Sequence, residues 1–347
     1  MTTENYILNV DKDSLLKHYE FLEKRFHEQA KNIPVVTKYL DLGIKVIRLQ
    51  IACKDFVDRI EQFFSYSLRD DICNYDQTIY IWQDEVHTFL NKQYKSELVT
   101  VAYEGQRFIR IDSEKKIINA ENPEEKKCYF VAEDVSYDAL LKQGHLLVKP
   151  ISQTVRTENS ALVHSAAVGI DNKGVLICAK GGSGKSTLSV SCLVSGFQYV
   201  ADDYLILNKI NNSLYALPIY SMITLSSQIY NLIPNLKTSF MGNNYNDTKY
   251  VLNISSYDNK LAKNLPIKAV VFPNIANVNE PAIEKTDKNR AVTQLVFSTA
   301  TQMNNDNDKN YMKLLISLIK DLNFYQINLS KDLNKNVEIL KQFIKEL

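Results

Sequence analysis

Glycine is scarce in this chain, with 10 residues in 347. Proteins ordinarily carry roughly 7%. A chain this sparing spends glycine only where the backbone must turn in ways other residues resist. Half of its glycines, Gly169, Gly174, Gly181, Gly182 and Gly184, fall in one short stretch. Cysteine is sparse too: 5 residues, none in a CxxC pair. An odd number of scattered cysteines suits the reduced, mostly buried thiols of a cytoplasmic protein. No apolar run approaches the roughly 18 residues of a membrane span. The N-terminal MTTENYILNV lacks the basic and apolar regions of a signal peptide. A surplus of charge is also missing, since 41 Lys+Arg stand against 40 Asp+Glu. Such a chain has no basic excess with which to displace counterions from nucleic acid. Neither nucleic acid nor a membrane is therefore expected as a partner, and a cytoplasmic location is expected. What remains is ordinary: 45% hydrophobic and 23% charged residues. That apolar content excludes a disordered chain, and the length suits two domains.

Along the chain, Leu15, Tyr19, Leu22 and Phe26 recur at helical spacing within residues 11–31. Residues 43–52 read as a strand and 55–68 as a helix. The segments 78–82, 97–103, 107–112 and 128–134 are rich in β-branched and aromatic residues and read as strands, with 121–127 a loop. Residues 1–135 therefore look like a small α+β domain, and no chemical constellation stands out in it. Residues 136–160 read as helical with a break at Pro150. Strands follow at 214–220 and 267–273, with a partly looped segment at 243–259 between them. The C-terminus reads helix (310–322), strand (324–329), helix (332–346).

The glycine cluster lies in GVLICAKGGSGKSTLSVSCLVSG, residues 174–196. An apolar strand, Val175 to Ala179, runs into a glycine loop that opens a helix, and Gly196 stands in the C-terminal cap position. The loop fits the phosphate-loop pattern, with Ala179 at the first position, where Gly is commoner. Gly181, Gly182, Ser183 and Gly184 let successive backbone N–H groups turn around phosphate oxygens. The helix N-terminus adds unpaired donors and a positive dipole end. Lys185 reaches the β- and γ-phosphates, Ser186 coordinates Mg²⁺, and Thr187 donates to a nearby phosphate oxygen.

Two features flank the loop. The segment 161–179 is a hairpin candidate turning at Ile170–Lys173, with Gly174 able to take positive φ. If Gly169 faces Gly174, the register puts His164 opposite Ala179 at the mouth of the loop. After the loop helix, FQYVADDYLIL (197–207) reads as a strand returning parallel to the first. Asp202 and Asp203 then lie on the loop's edge of the sheet, where ligands of α/β sheets bind. Two adjacent carboxylates beside a triphosphate call for Mg²⁺. One can hold the metal and the other can accept a proton from an attacking hydroxyl.

The segments HSAAVG, GGSGKST and GFQYVADD, in that order and spacing, resemble the catalytic domain of HPr kinase/phosphorylase-like proteins. That domain is related to phosphoenolpyruvate carboxykinase, whose HCSAN-like, GxSGTGKTT and GDD segments are similar. The resemblance covers about residues 155–347 and implies that His164 lies beside the γ-phosphate or metal. It also implies that Lys185 and Ser186 bind phosphates and Mg²⁺, that Asp202 holds the metal, and that Asp203 deprotonates a serine hydroxyl. Lys249 resembles a basic residue that touches phosphate. Two departures separate the chain from HPr kinases proper: Thr187 stands where they carry Glu, and no Arg-Gly-Leu-Gly-type segment follows. HPr as acceptor and reverse phosphorolysis are therefore left open.

The expectation is an α/β protein, with a smaller α+β domain over 1–135 for substrate recognition or assembly. A P-loop HPr-kinase/carboxykinase-like domain with a mixed sheet follows over 136–347. Its activity is expected to be ATP- or other NTP-dependent and Mg²⁺-dependent transfer of the γ-phosphate to a hydroxyl. The acceptor expected is a serine of a peptide, a protein or a small molecule. Two rival readings are a P-loop NTPase switch and a nucleotide-sensing binding module without phosphotransfer. Homo-oligomerisation is compatible with the sequence.

Overall fold

Leu15, Tyr19, Leu22 and Phe26 are all buried on one stripe of the first helix, α1 (Lys12–Ala30). The apolar spacing thus makes the helix one-sided, and that side supplies part of a core. The computed structural model describes residues 6–9, 12–89, 98–103, 107–141, 145–233, 235–243, 249–303 and 308–347. It is a mixed α/β structure whose chain divides between Thr154 and Val155 into two units.

The first unit runs β1 (Tyr6–Asn9), α1, β2 (Val36–Asp41), β3 (Val46–Ala52), α2 (Lys54–Phe64), β4 (Leu68–Arg69), β5 (Gln77–Gln83) and β6 (Leu98–Tyr103). It continues with β7 (Arg107–Asp112), β8 (Ile117–Asn122), β9 (Lys127–Ala132), α3 (Tyr137–Leu141) and α4 (Val148–Val155). The strands form one mixed sheet in the order β1-β6-β7-β8-β9-β5-β3-β2-β4. α1 packs its stripe against Trp82, Ile109, Ile118 and Tyr129 on one face. The expected loop at 121–127 shrinks to a turn at Pro123–Lys126, because β8 and β9 pair down to Asn122↔Lys127. The expected boundary at 135 moves later, because Leu146, Leu147 and Ile151 are buried and the Thr154 hydroxyl donates to Gln77 Oε1 at 2.5 Å. Pro150 sits within the first turn of α4, where its missing N–H costs nothing, rather than breaking a helix.

The second unit begins with β10 (Ser160–His164), β11 (Ala166–Ile170), β12 (Lys173–Ile177), α5 (Lys185–Val194), β13 (Gln198–Ala201), β14 (Tyr204–Ile210) and β15 (Ser213–Pro218). Next come β16 (Met222–Ser226), α6 (Ser227–Leu232), β17 (Ser239–Asn243), β18 (Lys249–Asn253), β19 (Leu265–Val278) and β20 (Ala282–Lys285). The unit closes with α7 (Lys288–Met303), α8 (Lys309–Ile319), β21 (Asn323–Ser330) and α9 (Leu333–Glu346).

The main sheet has the order β10-β14-β15-β19-β12-β11-β13, with β21 parallel to β19 and β20 antiparallel to β21. Alternate residues feed two cores. Ala161, Val163, Ala167, Leu176 and Cys178 meet α7 and α8 through Leu295, Tyr311 and Leu315. Ala166, Val168, Val175 and Ile177 meet α5 and α9 through Leu188, Val190 and Leu340. β16, β18 and β17 form a separate three-stranded sheet, of which Ile223, Leu225 and Leu252 join the second core.

The hairpin β11–β12 has the expected register, Gly169↔Gly174. Its positive φ falls on Asp171 (50°) and Asn172 (58°), not on Gly174. A two-residue turn with both central residues left-handed matches the twist of the strands it joins. The two glycines serve packing instead: a Cβ on Gly174 would lie 2.6 Å from Leu265 Cγ, and one on Gly169 would lie 2.7 Å from Lys173 O. Among the described residues no helix is long and apolar enough to cross a membrane. All five cysteines are free, and only Cys73 is exposed.

Candidate active site

The glycine-loop stretch begins where β12 runs out. Cys178 N still donates to Val271 O of β19 at 3.0 Å, so the strand delivers the chain at a defined point. The chain then turns through Lys180–Ser183, closed by Ser183 N donating to Lys180 O at 3.3 Å. Gly182 takes φ +80° and Gly184 φ +94°, conformations that cost a residue with a Cβ about 1–2 kcal/mol. Among the described residues a Cβ on Gly181 or Gly182 would meet nothing within 4 Å, so this face of the loop is open to them. Gly184 is closed on its other side, since a Cβ there would lie 2.8 Å from Leu329 Cδ1 of β21. The first intrahelical bond of α5 runs from Leu188 N to Gly184 O at 2.9 Å. The N–H groups of Lys185, Ser186 and Thr187 therefore have no acceptor within the helix.

Two long segments break beside this loop. The chain 160–170 is not one strand: β10 pairs with β14 and β11 pairs with β12. The chain 197–207 likewise splits into β13, on the far side of β11, and β14. The two segments still lie antiparallel through both halves, from Ser160↔Asn208 to His164↔Tyr204 and then from Ala167↔Ala201 to Gly169↔Gln198. Ser165 N donates to Asp203 O at 2.8 Å across the break.

This corrects the expected position of His164. It does not face Ala179 across the hairpin but pairs with Tyr204, immediately after the aspartates. The Ser165 hydroxyl marks the switch of partner by donating to Ile177 O at 3.0 Å. β13 also runs in the direction of β12 with β11 between them, so Asp202 and Asp203 follow its C-terminal end as expected.

The side chains converge. Lys185 Nζ donates to Asp202 O at 2.6 Å and to Asp203 Oδ1 at 3.0 Å, and it lies 3.3 Å from His164 Nε2. His164 Nε2 is 2.6 Å from the same Asp203 Oδ1. Lys185 is only 8% exposed, so its ammonium is held by these oxygens rather than by bulk water. Asp202 is 3% exposed. Burial, reinforced by the Asp203 charge, pushes its carboxyl up to about 7, while Lys185, Ser186 and Lys249 pull it back. Asp202 Oδ2 is buried with no hydrogen-bond partner among the described residues. Thr187 is half-buried in the first turn of α5, and Lys249 is exposed at the start of β18. Lys249 lies close enough for its charge to act on Asp202.

α7 supplies two residues that nothing in the sequence pointed to. The Thr299 hydroxyl accepts the His164 N–H at 3.2 Å, and Ser298 Oγ lies 3.4 Å from His164 Nδ1. They carry no motif and are brought in from far along the chain.

Among the described residues no group of three or more His, Cys, Asp or Glu side chains gathers to hold a metal. The orphaned Asp202 Oδ2 beside Ser186 is the arrangement a Mg²⁺–nucleotide complex suits, since that ion takes one or two protein ligands, phosphates and water.

No family model matches the chain, and no curated protein does. Among solved structures it is similar to the HPr(Ser) kinase/phosphatase from Coxiella burnetii. The identity is 14%, the match covers 53% of this chain and 94% of that one, and the TM-score is 0.30. At that level the likeness decides neither fold nor chemistry, which rest on the residues themselves.

Proposed function

We propose that the second unit is an NTP- and Mg²⁺-dependent phosphotransferase that moves a γ-phosphoryl group to a hydroxyl, the acceptor being a serine of a peptide, protein or small molecule. One observation carries the reading. Lys185, His164 and Asp203 meet around a single carboxylate oxygen, beside a glycine loop whose outer face is open. The resemblance of the three motif segments to HPr kinase-like proteins supports the serine acceptor.

Each residue has a task in this reading. Gly181, Gly182, Ser183 and Gly184 let the loop and the free N–H groups of the first turn of α5 surround the phosphates. Lys185 and Thr187 donate to phosphate oxygens, and Lys249 adds charge at the rim. Ser186 and Asp202 hold Mg²⁺, which neutralises charge on the phosphates. Asp203 accepts the proton of the attacking hydroxyl, and His164 holds that carboxylate in place. Catalysis of this kind is positioning and charge stabilisation, with little covalent work for the protein. The first unit recognises the acceptor or mediates assembly.

The test is incubation of the full chain with γ-labelled ATP, Mg²⁺ and a cell extract, followed by mass spectrometry for phosphoserine. Wild type labels an acceptor and Lys185→Ala labels none. Turnover of ATP with no labelled acceptor in any extract supports an NTPase switch instead. Tight binding with no turnover supports a sensing module.

A further inference from the structure

The hydrogen bonds around His164 are unequal. On its Nε2 side stands a carboxylate, Asp203 Oδ1 at 2.6 Å. The Lys185 ammonium, which has only donors to offer, lies 3.3 Å from Nε2 but donates to that same carboxylate oxygen at the shorter 3.0 Å, so Oδ1 is the acceptor that both groups share. A short contact between Nε2 and a carboxylate oxygen needs a proton on Nε2. In a neutral imidazole the other nitrogen, Nδ1, is then an acceptor. The group facing Nδ1 is the Ser298 hydroxyl at 3.4 Å, which is free to rotate and donate. The next residue, Thr299, is fully buried and accepts the backbone N–H of His164 at 3.2 Å. Tyr204 lies against the ring with centroids 5.5 Å apart. Two successive residues of α7 therefore grip His164 from behind, one by its backbone and one by its ring.

We infer that Ser298 is a positioning residue that holds His164 in the Nε2–H tautomer, so that His164 in turn fixes Asp203 toward the acceptor hydroxyl. The chain of contacts runs Ser298 to His164 to Asp203, with Ser298 acting only through the imidazole. Tautomer choice by the bond at the far nitrogen is how a histidine is given one role instead of two. The catalytic consequence rests on the phosphotransferase reading, but the tautomer does not.

The experiment therefore has two arms on the full chain. In the first, histidine carrying the NMR-active nitrogen isotope is incorporated, and long-range proton–nitrogen correlations are recorded at about pH 8, above the ordinary imidazole range. There are 5 histidines, and the His164 signals are assigned by their loss in His164→Gln. Wild type shows His164 with an unprotonated Nδ1 and a proton on Nε2. Ser298→Ala shows a mixture of tautomers, and Ser298→Thr, which keeps the hydroxyl, restores one. A wild-type ring protonated on Nδ1 or on both nitrogens overturns the inference, as does an unchanged signature in Ser298→Ala.

In the second arm, phosphoryl transfer by Ser298→Ala falls about tenfold in kcat with KM for the nucleotide unchanged, and Ser298→Thr recovers most of it. A raised KM at constant kcat contradicts the positioning role. If wild type phosphorylates nothing, the phosphotransfer reading fails alone, and the tautomer measurement still decides the role of Ser298.

Discussion

In the proposed phosphotransfer, Asp203→Asn separates two jobs assigned to one carboxylate. The variant keeps an oxygen where His164 Nε2–H finds it but removes the charge that holds Lys185. In the free protein the Lys185 ammonium is 3.0 Å from Asp203 Oδ1. A nucleotide must compete for that ammonium. A charge-assisted hydrogen bond contributes about 1.5–3 kcal/mol net. The Asp203 side chain is 25% exposed, so solvent screening brings the competing interaction to about 1 kcal/mol. Since about 1.4 kcal/mol is tenfold in affinity, releasing Lys185 tightens nucleotide binding about fivefold. The direction is unusual, because a substitution in a binding site is expected to improve binding. Titration calorimetry with a non-hydrolysable ATP analogue and Mg²⁺ measures it. Phosphoryl transfer falls in the same variant by roughly 10²–10⁴, the ordinary contribution of a general base. Weaker nucleotide binding at an unchanged melting temperature refutes the competition and makes Asp203 a ligand of the metal–nucleotide complex. Transfer equal to wild type removes the base assignment.

Three further outcomes follow from particular contacts. Burial and then the neighbouring Asp203 charge push the folded Asp202 carboxyl up to about 7 from its ordinary 3.8. The folded state thus binds more protons than the unfolded state between those values, and stability falls as pH rises from about 4 through about 7. Asp202→Asn abolishes that fall, so its nucleotide-free melting temperature exceeds wild type above pH 7 and lies closer to it near pH 4, as calorimetry across pH reads directly. Gly184→Ala must place a Cβ at φ +94° and 2.8 Å from Leu329 Cδ1. The backbone strain alone is about 1–2 kcal/mol, which lowers the melting temperature of a unit this size by about 2–8 °C, and an unchanged melting curve contradicts the loop geometry. Gly174→Ala places a Cβ 2.6 Å from Leu265 Cγ and 2.9 Å from Pro266 O. Overpacking costs about 1–3 kcal/mol, and adding Leu265→Ala, which clears only the side-chain part of the clash, recovers less than wild-type stability in denaturant titration.

Much of the candidate site was legible because its parts are local. The loop from Ala179 to Lys185, the start of α5 and the cap at Gly196 are written in consecutive residues whose φ preferences and hydrogen bonds close within a few positions. The aspartate pair was legible for a similar reason, since a strand that ends at Ala201 must deliver the next two residues to the sheet edge. His164 was legible as a neighbour of the loop but not in its pairing. The β11–β12 register was right, yet extending it through Ser165 assumed a strand that keeps one partner. No propensity marks such a switch, because Ser165 keeps the face alternation intact from Val163 to Ala167. The turn at Ile170–Lys173 was placed correctly, but its positive φ was assigned to Gly174 because glycine is the usual source of that conformation, whereas it falls on Asp171 and Asn172 and Gly174 answers to Leu265, far away in the chain. α7, with Ser298 and Thr299, escaped notice because its residues carry no periodic signal strong enough to read and no motif.

The amino-acid order alone determined the glycine loop, its helix and the residues that carry charge there, because short-range backbone geometry leaves little choice once Gly182, Gly184 and Lys185 are in place. Only the folded chain decided that His164 stands on Asp203 rather than opposite Ala179, that Lys185 is shared between Asp202 and Asp203, and that Ser298 backs the imidazole. Those contacts join segments whose separation along the chain is bridged by sheet pairing and by packing of α7, and the free energy that selects them belongs to the whole core rather than to any neighbouring residues.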